Sequence, residues 1–346
     1  MSAAELLPWL REPLAAALGA TREHHLLLVH GPEGVGQFEF ALALAQGWLC
    51  EAPAGEPRPC GRCASCHLVH AHSHPDLLVL LPEALQEPLG WARDASDEGE
   101  GRPAKSDRKP SKEIRVEAAR QAIAFTQLTC ARGRAKVVLL YPAERMNAVT
   151  ANTLLKTFEE PPGRARFVLA SGHPRALPPT VRSRCQALHL PLPPRAEAER
   201  WLAAQGVDAA AVLLAAAGGQ PLHAKALADE GLTADAWTRL PQRVAQGDAT
   251  ALAGWPVPRA VDALLELCHD ALAATVGAAP RYFPAVPAVR DAAALGAWQR
   301  ALVEAARHAE HPVNAGLLVE SLVMQGARAW AGGERSRAPS LHSPHG

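Results

Sequence analysis

Leu26-Leu27-Leu28-Val29-His30-Gly31-Pro32-Glu33-Gly34-Val35-Gly36-Gln37-Phe38 is the stretch that decides the fold of this 346-residue chain. An apolar run with the length of a buried strand enters a Gly/Pro turn and leaves into a helical pattern over residues 38–48. This is the strand-loop-helix context that a phosphate-binding loop requires. In a working loop, backbone N–H groups surround the phosphates, a lysine neutralises them and a final Ser/Thr hydroxyl holds magnesium. Here Gln37 stands where the lysine belongs and Phe38 where the hydroxyl belongs. Glutamine brings no charge to a polyphosphate and phenylalanine cannot ligate a metal, while Gly31, Gly34 and Gly36 keep the turn. The expectation is a nucleotide-binding fold whose cradle is empty, with ATP not bound by this chain.

Outward from the loop, Pro8-Trp9-Leu10 and the run from Leu14 to Leu18 predict a first short helix before the strand. After the loop helix come Cys50 and then Cys60-Gly61-Arg62-Cys63-Ala64-Ser65-Cys66. Two consecutive Cys-x-x-Cys spacings put three thiolates on one tight loop, and Cys50 can supply the fourth ligand of a tetrahedral zinc ion. Four protein ligands leave no position for water, so such a site is structural. His67, His70, His72 and His74 follow closely, so a histidine in place of one thiolate stays open. Pro75-Asp76-Leu77-Leu78-Val79-Leu80-Leu81 predicts a second strand. Residues 94–112 are too poor in apolar side chains to order themselves and read as a disordered insertion. An amphipathic helix over 114–130 precedes a third buried strand, Ala135-Lys136-Val137-Val138-Leu139-Leu140-Tyr141. In a P-loop ATPase such a strand ends in acids that hold magnesium and activate water. This one ends in Tyr141-Pro142, so no group is left to carry hydrolysis.

Composition bounds the remaining classes. Thirty-five basic residues balance 35 acidic ones, which argues against binding nucleic acid by bulk electrostatics. No segment has the roughly 18 apolar residues of a membrane span, and the N-terminus lacks the pattern of a signal peptide, so a cytoplasmic protein is expected. Four of the seven cysteines fall in one short window, which fits a metal site in a reducing compartment better than a disulfide framework.

Asn152-Thr153-Leu154-Leu155-Lys156-Thr157-Phe158-Glu159-Glu160-Pro161-Pro162 resembles the signature helix of bacterial clamp-loader subunits. Phe167-Val168-Leu169-Ala170-Ser171 and Thr180-Val181-Arg182-Ser183-Arg184-Cys185 resemble the segments that follow it. Together with the glycine loop and the cysteines, in this order, they resemble the delta-prime family of DNA polymerase III clamp-loader subunits over about the first 230 residues. The resemblance implies an α/β AAA+ module, a parallel sheet with flanking helices carrying the zinc knuckle, over 1–186. It further implies a small helical lid over 187–232, an all-α collar over 233–330 and, after it, a tail at 331–346 whose composition reads as disordered.

It implies a subunit without its own ATPase activity, a component of the DNA-directed DNA polymerase (nucleotidyltransferase) holoenzyme in DNA replication. Such a stator sits in a ring with gamma/tau ATPase subunits and a delta subunit that loads the sliding clamp on primer-template DNA. Arg184 would then reach a neighbour's ATP as an arginine finger in trans. Ser171 stands at the sensor position, and Pro221-Leu222-His223 at the point where ATP-binding relatives carry a sensing arginine. Two rivals remain open, an active gamma/tau-like ATPase motor and a zinc-dependent DNA-binding module using the basic residues of 102–112.

Overall fold

The structure is a computed structural model that describes residues 6–21, 24–53, 55–92, 109–309 and 314–331. The insertion expected at 94–112 lies outside them except for its last four residues, and the tail expected at 331–346 except for Ala331. Contacts divide the chain into two compact units, Met1–Glu197 and Ala198–Gly346.

The first unit is built on five strands, β1 (Leu26–His30), β2 (Leu77–Leu80), β3 (Lys136–Leu140), β4 (Ala165–Ser171) and β5 (Gln186–His189). They form one parallel sheet in the order β2-β3-β4-β1-β5. Strands covered on both faces read as continuous apolar runs. Accordingly β1, β3 and β4, in the middle, are buried almost throughout, whereas the edge strand β5 exposes most of its residues. That exposure is why Gln186 to His189 carries no strand signal in the sequence. Around the sheet lie α1 (Arg11–Ala20), α2 (Gln37–Leu49), α3 (Ala64–His70), α4 (Glu83–Gln86), α5 (Val116–Gln127), α6 (Ala148–Glu159) and α7 (Pro179–Arg182); the next helix, α8 (Arg195–Ala204), begins in this unit and has most of its residues in the second. Phe158 and Phe167 meet edge-on, with ring centroids 5.0 Å apart, and tie α6 to β4.

Register sets the site. His30 lies opposite Ser171 on β4 and opposite His189 on β5. The loops leaving β1, β3 and β4 therefore emerge together at the carboxyl edge, where open parallel sheets bind ligands.

The second unit contains α9 (Ala210–Ala216), α10 (Pro221–Asp229), α11 (Ala234–Ala245), α12 (Val257–Thr275), α13 (Ala292–His308) and α14 (Ala315–Ala331). One hydrophobic core runs through all of them, from Ala198 to Trp330, so the segments expected as lid and collar share it. Trp237 and Trp298 are its largest buried side chains. Each satisfies its indole N–H on a backbone carbonyl, Tyr282 O at 2.9 Å and Leu322 O at 2.8 Å. Among the described residues no helix is long and apolar enough to cross a membrane.

Candidate functional site

The glycine loop opens where the β1 backbone runs against the chain after β5. A Cβ on Gly31 would lie 2.1 Å from the Leu190 carbonyl oxygen, so only glycine fits. Gly34 turns with φ +73°. Gly36 caps α2 with φ +100°, and a Cβ there would meet Leu7 and Leu10 side-chain carbons at 2.6 and 2.9 Å. The segment before α1 thus packs on the loop, and the Trp9 indole N–H donates to the Val35 carbonyl at 2.9 Å.

Inside this frame the two replaced residues make contacts of their own. Gln37 is buried, and its Nε2 donates to Gly31 O at 2.9 Å and also to Pro32 O, so the side chain folds back onto the loop. Phe38 packs on Tyr141, with ring centroids 5.2 Å apart, joining the position of the missing hydroxyl to the position of the missing acid. Burial, and then the charges of Glu39, Glu33 and Glu144, hold the Tyr141 hydroxyl above its ordinary range. Desolvation likewise raises the Glu39 carboxyl. The carboxylates of Glu33, Glu39 and Glu144 thus act near the loop, opposite in sign to the charges that a polyphosphate requires. Ser171, at the end of β4, is fully buried.

Arg184 follows α7 and is exposed. Its guanidinium pairs with Glu159 at the end of α6, Nε donating to Oε1 at 2.6 Å, and Nη1 donates to the Thr180 carbonyl at 2.7 Å. The guanidinium is thereby bonded to a residue 25 positions earlier, a contact that the place of Glu159 in the sequence did not reveal. His223, on α10, lines a polar recess of the second unit with Asp262 and Glu266.

The four cysteines converge. Cys50, Cys60, Cys63 and Cys66 each offer Sγ within 4.8 Å of the others, and Cys60 and Cys66 Sγ are 4.0 Å apart. Four sulfurs at about 2.3 Å from a central ion would stand about 3.8 Å apart, so the set fits a tetrahedral thiolate-bound metal. Backbone N–H groups of Glu51, Ala52, Cys60 and Cys66 point at the sulfurs at 3.4–3.5 Å. Burial opposes ionisation of Cys60, but the amides of Arg62 and Cys63 and the neighbouring thiols outweigh it and bring the thiol to about 6. Not all of the knuckle is loop, since Cys63 caps α3 and Cys66 lies within it. None of the four histidines joins the cluster. The buried His74 ring contacts Ser65 Oγ at 3.1 Å and accepts the Asp76 N–H at 3.0 Å, while His72 stacks on Trp91.

A polar network anchors the knuckle to the sheet. Arg132 Nε donates to Glu51 Oε1 at 2.6 Å, and Ser65 Oγ donates to the same oxygen at 3.0 Å. Asp76, fully buried, accepts the N–H groups of Ala131 and Arg132 and pairs with Lys136 Nζ at 2.9 Å.

With this geometry in view, comparison with known proteins gives a consistent answer. A family model described as DNA polymerase III, delta subunit, matches residues 9–194, more than half of the chain. The chain belongs to this family. It is 37% identical over 234 residues to DNA polymerase III subunit delta' of Pseudomonas aeruginosa, covering 66% of this chain and 63% of that protein. It is 35% identical over 212 residues to the Escherichia coli protein of the same name, covering 60% and 56%. DNA polymerase III subunit tau of Escherichia coli is 33% identical over 177 residues, covering 51% of this chain and 23% of tau. The chain thus spans somewhat less than two thirds of the delta' relatives, and the family match, over residues 9–194, falls on the unit that carries the loop, the knuckle and Arg184.

Proposed function

We propose that this chain is the delta-prime stator of a DNA polymerase III clamp loader, which assembles with gamma/tau and delta subunits and helps place the sliding clamp on primer-template DNA. On this reading the first unit is an AAA+ module with no nucleotide, residues 187–232 are its lid and 233–330 its collar, and the protein works in the cytoplasm. The observation that carries the reading is a contrast within one unit. The loop that would hold ATP is filled by Gln37 and by the Phe38–Tyr141 pair, while Arg184 remains exposed and held by Glu159. A motor would preserve the first; a stator needs only the second. Zinc in the four-cysteine site would act structurally, its binding free energy contributing directly to folding of the knuckle.

The gamma/tau-like motor is disfavoured because Gln37, Phe38, Tyr141 and Pro142 stand where lysine, hydroxyl and both acids belong, with Gln37 bonded to loop carbonyls and Phe38 packed on Tyr141. The zinc-dependent DNA-binding reading has less support, since 35 basic residues balance 35 acidic ones and give no bulk attraction for nucleic acid. Reconstitution of the loader with Arg184→Ala tests the proposal. The complex should assemble as before on gel filtration, and hydrolysis at the adjoining ATP site should fall on the order of 10³-fold, because charge on the transferring phosphoryl group loses its partner. Unchanged turnover in an intact complex would refute the finger, and ATP hydrolysis by the isolated parent chain would refute the stator.

A further inference from the structure

Glu33 lies on the glycine loop, Glu144 in the turn after β3, and His173 two residues beyond β4. Their side chains converge: His173 Nδ1 is 3.3 Å from Glu33 Oε1 and 3.7 Å from Glu144 Oε1, and one ligand atom of each lies within 4.8 Å of the other two. Glu33 and His173 are open to solvent, whereas the Glu144 side chain is only 8% exposed. Glu144 Oε1 accepts the N–H groups of Gly172 and His173 at 3.1 and 3.2 Å, which fixes the carboxylate facing the other two residues. Its Oε2 is buried and has no partner among the described residues, and the same holds for Ser171 Oγ next to Gly172. Close approach is built into the backbone, because a Cβ on Gly172 would sit 2.4 Å from Glu33 Cγ.

A buried carboxylate oxygen without a donor is costly, and a second carboxylate beside it raises the cost. The cluster therefore calls for positive charge. His173 Nδ1 lies within ion-pair reach of both carboxylates but beyond hydrogen-bond length of Glu144 Oε1, and it leaves Glu144 Oε2 without a donor. A metal ion at about 2.0–2.1 Å from imidazole nitrogen and carboxylate oxygen would set its ligands about 3.3–3.4 Å apart in a tetrahedron. The two edges at His173, 3.3 and 3.7 Å, lie at or close to that value.

We propose that Glu33, Glu144 and His173 form a second metal site, which takes a first-row divalent transition ion through one nitrogen and two carboxylates and leaves further positions to water. Imidazole with carboxylate suits ions such as Mn2+ or Zn2+, and the site is chemically distinct from the four-thiolate knuckle. The ion would bond to the loop after β1, the turn after β3 and the end of β4. These are the three segments that surround the phosphates in a working nucleotide site, so metal would tie them together where nucleotide does not. The inference does not rest on the clamp-loader reading.

The test uses the full chain, first given one equivalent of zinc to fill the knuckle, then titrated with Mn2+ and followed by loss of the free-ion signal in electron paramagnetic resonance. Mn2+ is chosen because thiolates hold it poorly. One Mn2+ per chain is expected. His173→Ala and Glu144→Gln, the second nearly isosteric and able to keep the N–H bonds of Glu144, should each weaken binding at least about tenfold with unchanged circular dichroism. No bound Mn2+ in large excess of the ion, or equal binding by the parent and both cluster variants, would overturn the proposal.

Discussion

Gln37→Ala removes the amide that closes the glycine loop on itself, and its cost follows from the contacts. Gln37 is 3% exposed and donates to two loop carbonyls, Gly31 O and Pro32 O. A typical internal hydrogen bond contributes about 1 kcal/mol net, and a buried acceptor left unpaired costs about 1–3 kcal/mol. Loss of a buried methylene adds about 0.8 kcal/mol. Alanine recovers a few tenths through helix propensity, and little of that at the first position of α2. The sum is a destabilisation of about 2–4 kcal/mol. For a unit the size of Met1–Glu197 that corresponds to a melting temperature about 5–12 °C lower. Because the chain has two units, calorimetry should resolve the affected transition, which is also the one that chelation of the knuckle metal moves. A companion change, Gln37→Lys, should bring no ATP binding, since Phe38 and Tyr141 still offer no magnesium ligand. A melting temperature within about 1 °C of the parent for Gln37→Ala would refute the argument that this amide holds the loop.

Three further outcomes follow from the site. Cys63→Ser should reduce bound zinc to well below one per chain by elemental analysis and lower the melting temperature of the first unit, because metal binding there is coupled to folding. Asp76→Asn leaves the buried Lys136 ammonium without its counter-charge and should destabilise that unit by about 3–5 kcal/mol in denaturant titration. Burial alone would raise the Asp76 carboxyl, but the amides of Ala131 and Arg132 and the Lys136 ammonium outweigh it and hold it below 3.8. A depressed folded value means that the carboxylate's contribution is complete above that pH and disappears as pH falls through the folded value. The gap between parent and Asp76→Asn should accordingly be constant from pH 7 to about 5 and close in more acidic buffer.

Much of this was legible in the chain because the signals are local. Four consecutive apolar residues before Gly31 announce a central strand, and β1 is buried as expected. Two Cys-x-x-Cys spacings announce the thiolate cluster, and the four sulfurs meet. What the sequence concealed depends on contacts between distant segments. Nothing near Gln37 says that its amide turns back six residues to Gly31, and nothing near Arg184 names Glu159 as its partner. The histidines after Cys66 looked like candidate ligands by proximity alone. His74 is instead consumed by Ser65 and the Asp76 amide, in a network that also recruits Glu51, Arg132 and Lys136 from three separate segments. Glu33, Glu144 and His173, scattered over 141 positions, become neighbours only because β1, β3 and β4 end at one edge of the sheet.

The replacements at the loop are coupled, and that coupling bears on what a stator is. A loop that binds nucleotide is stabilised by its ligand, by RT ln(1 + [L]/Kd), so its conformation tracks nucleotide concentration. Here the loop is held by the chain's own side chains: Gln37 donates to the Gly31 and Pro32 carbonyls, Phe38 packs on Tyr141, and Leu7 and Leu10 cover the face of Gly36. Replacing one member alone would leave a buried acceptor or a void. Restoring function to such a site therefore requires several changes at once, at positions far apart in the chain, whereas keeping it inert requires only that each packed pair stay packed. On the proposed reading, a ring gains from this a member whose shape does not change as its neighbours bind and hydrolyse ATP, and whose exposed Arg184 is presented from a fixed frame.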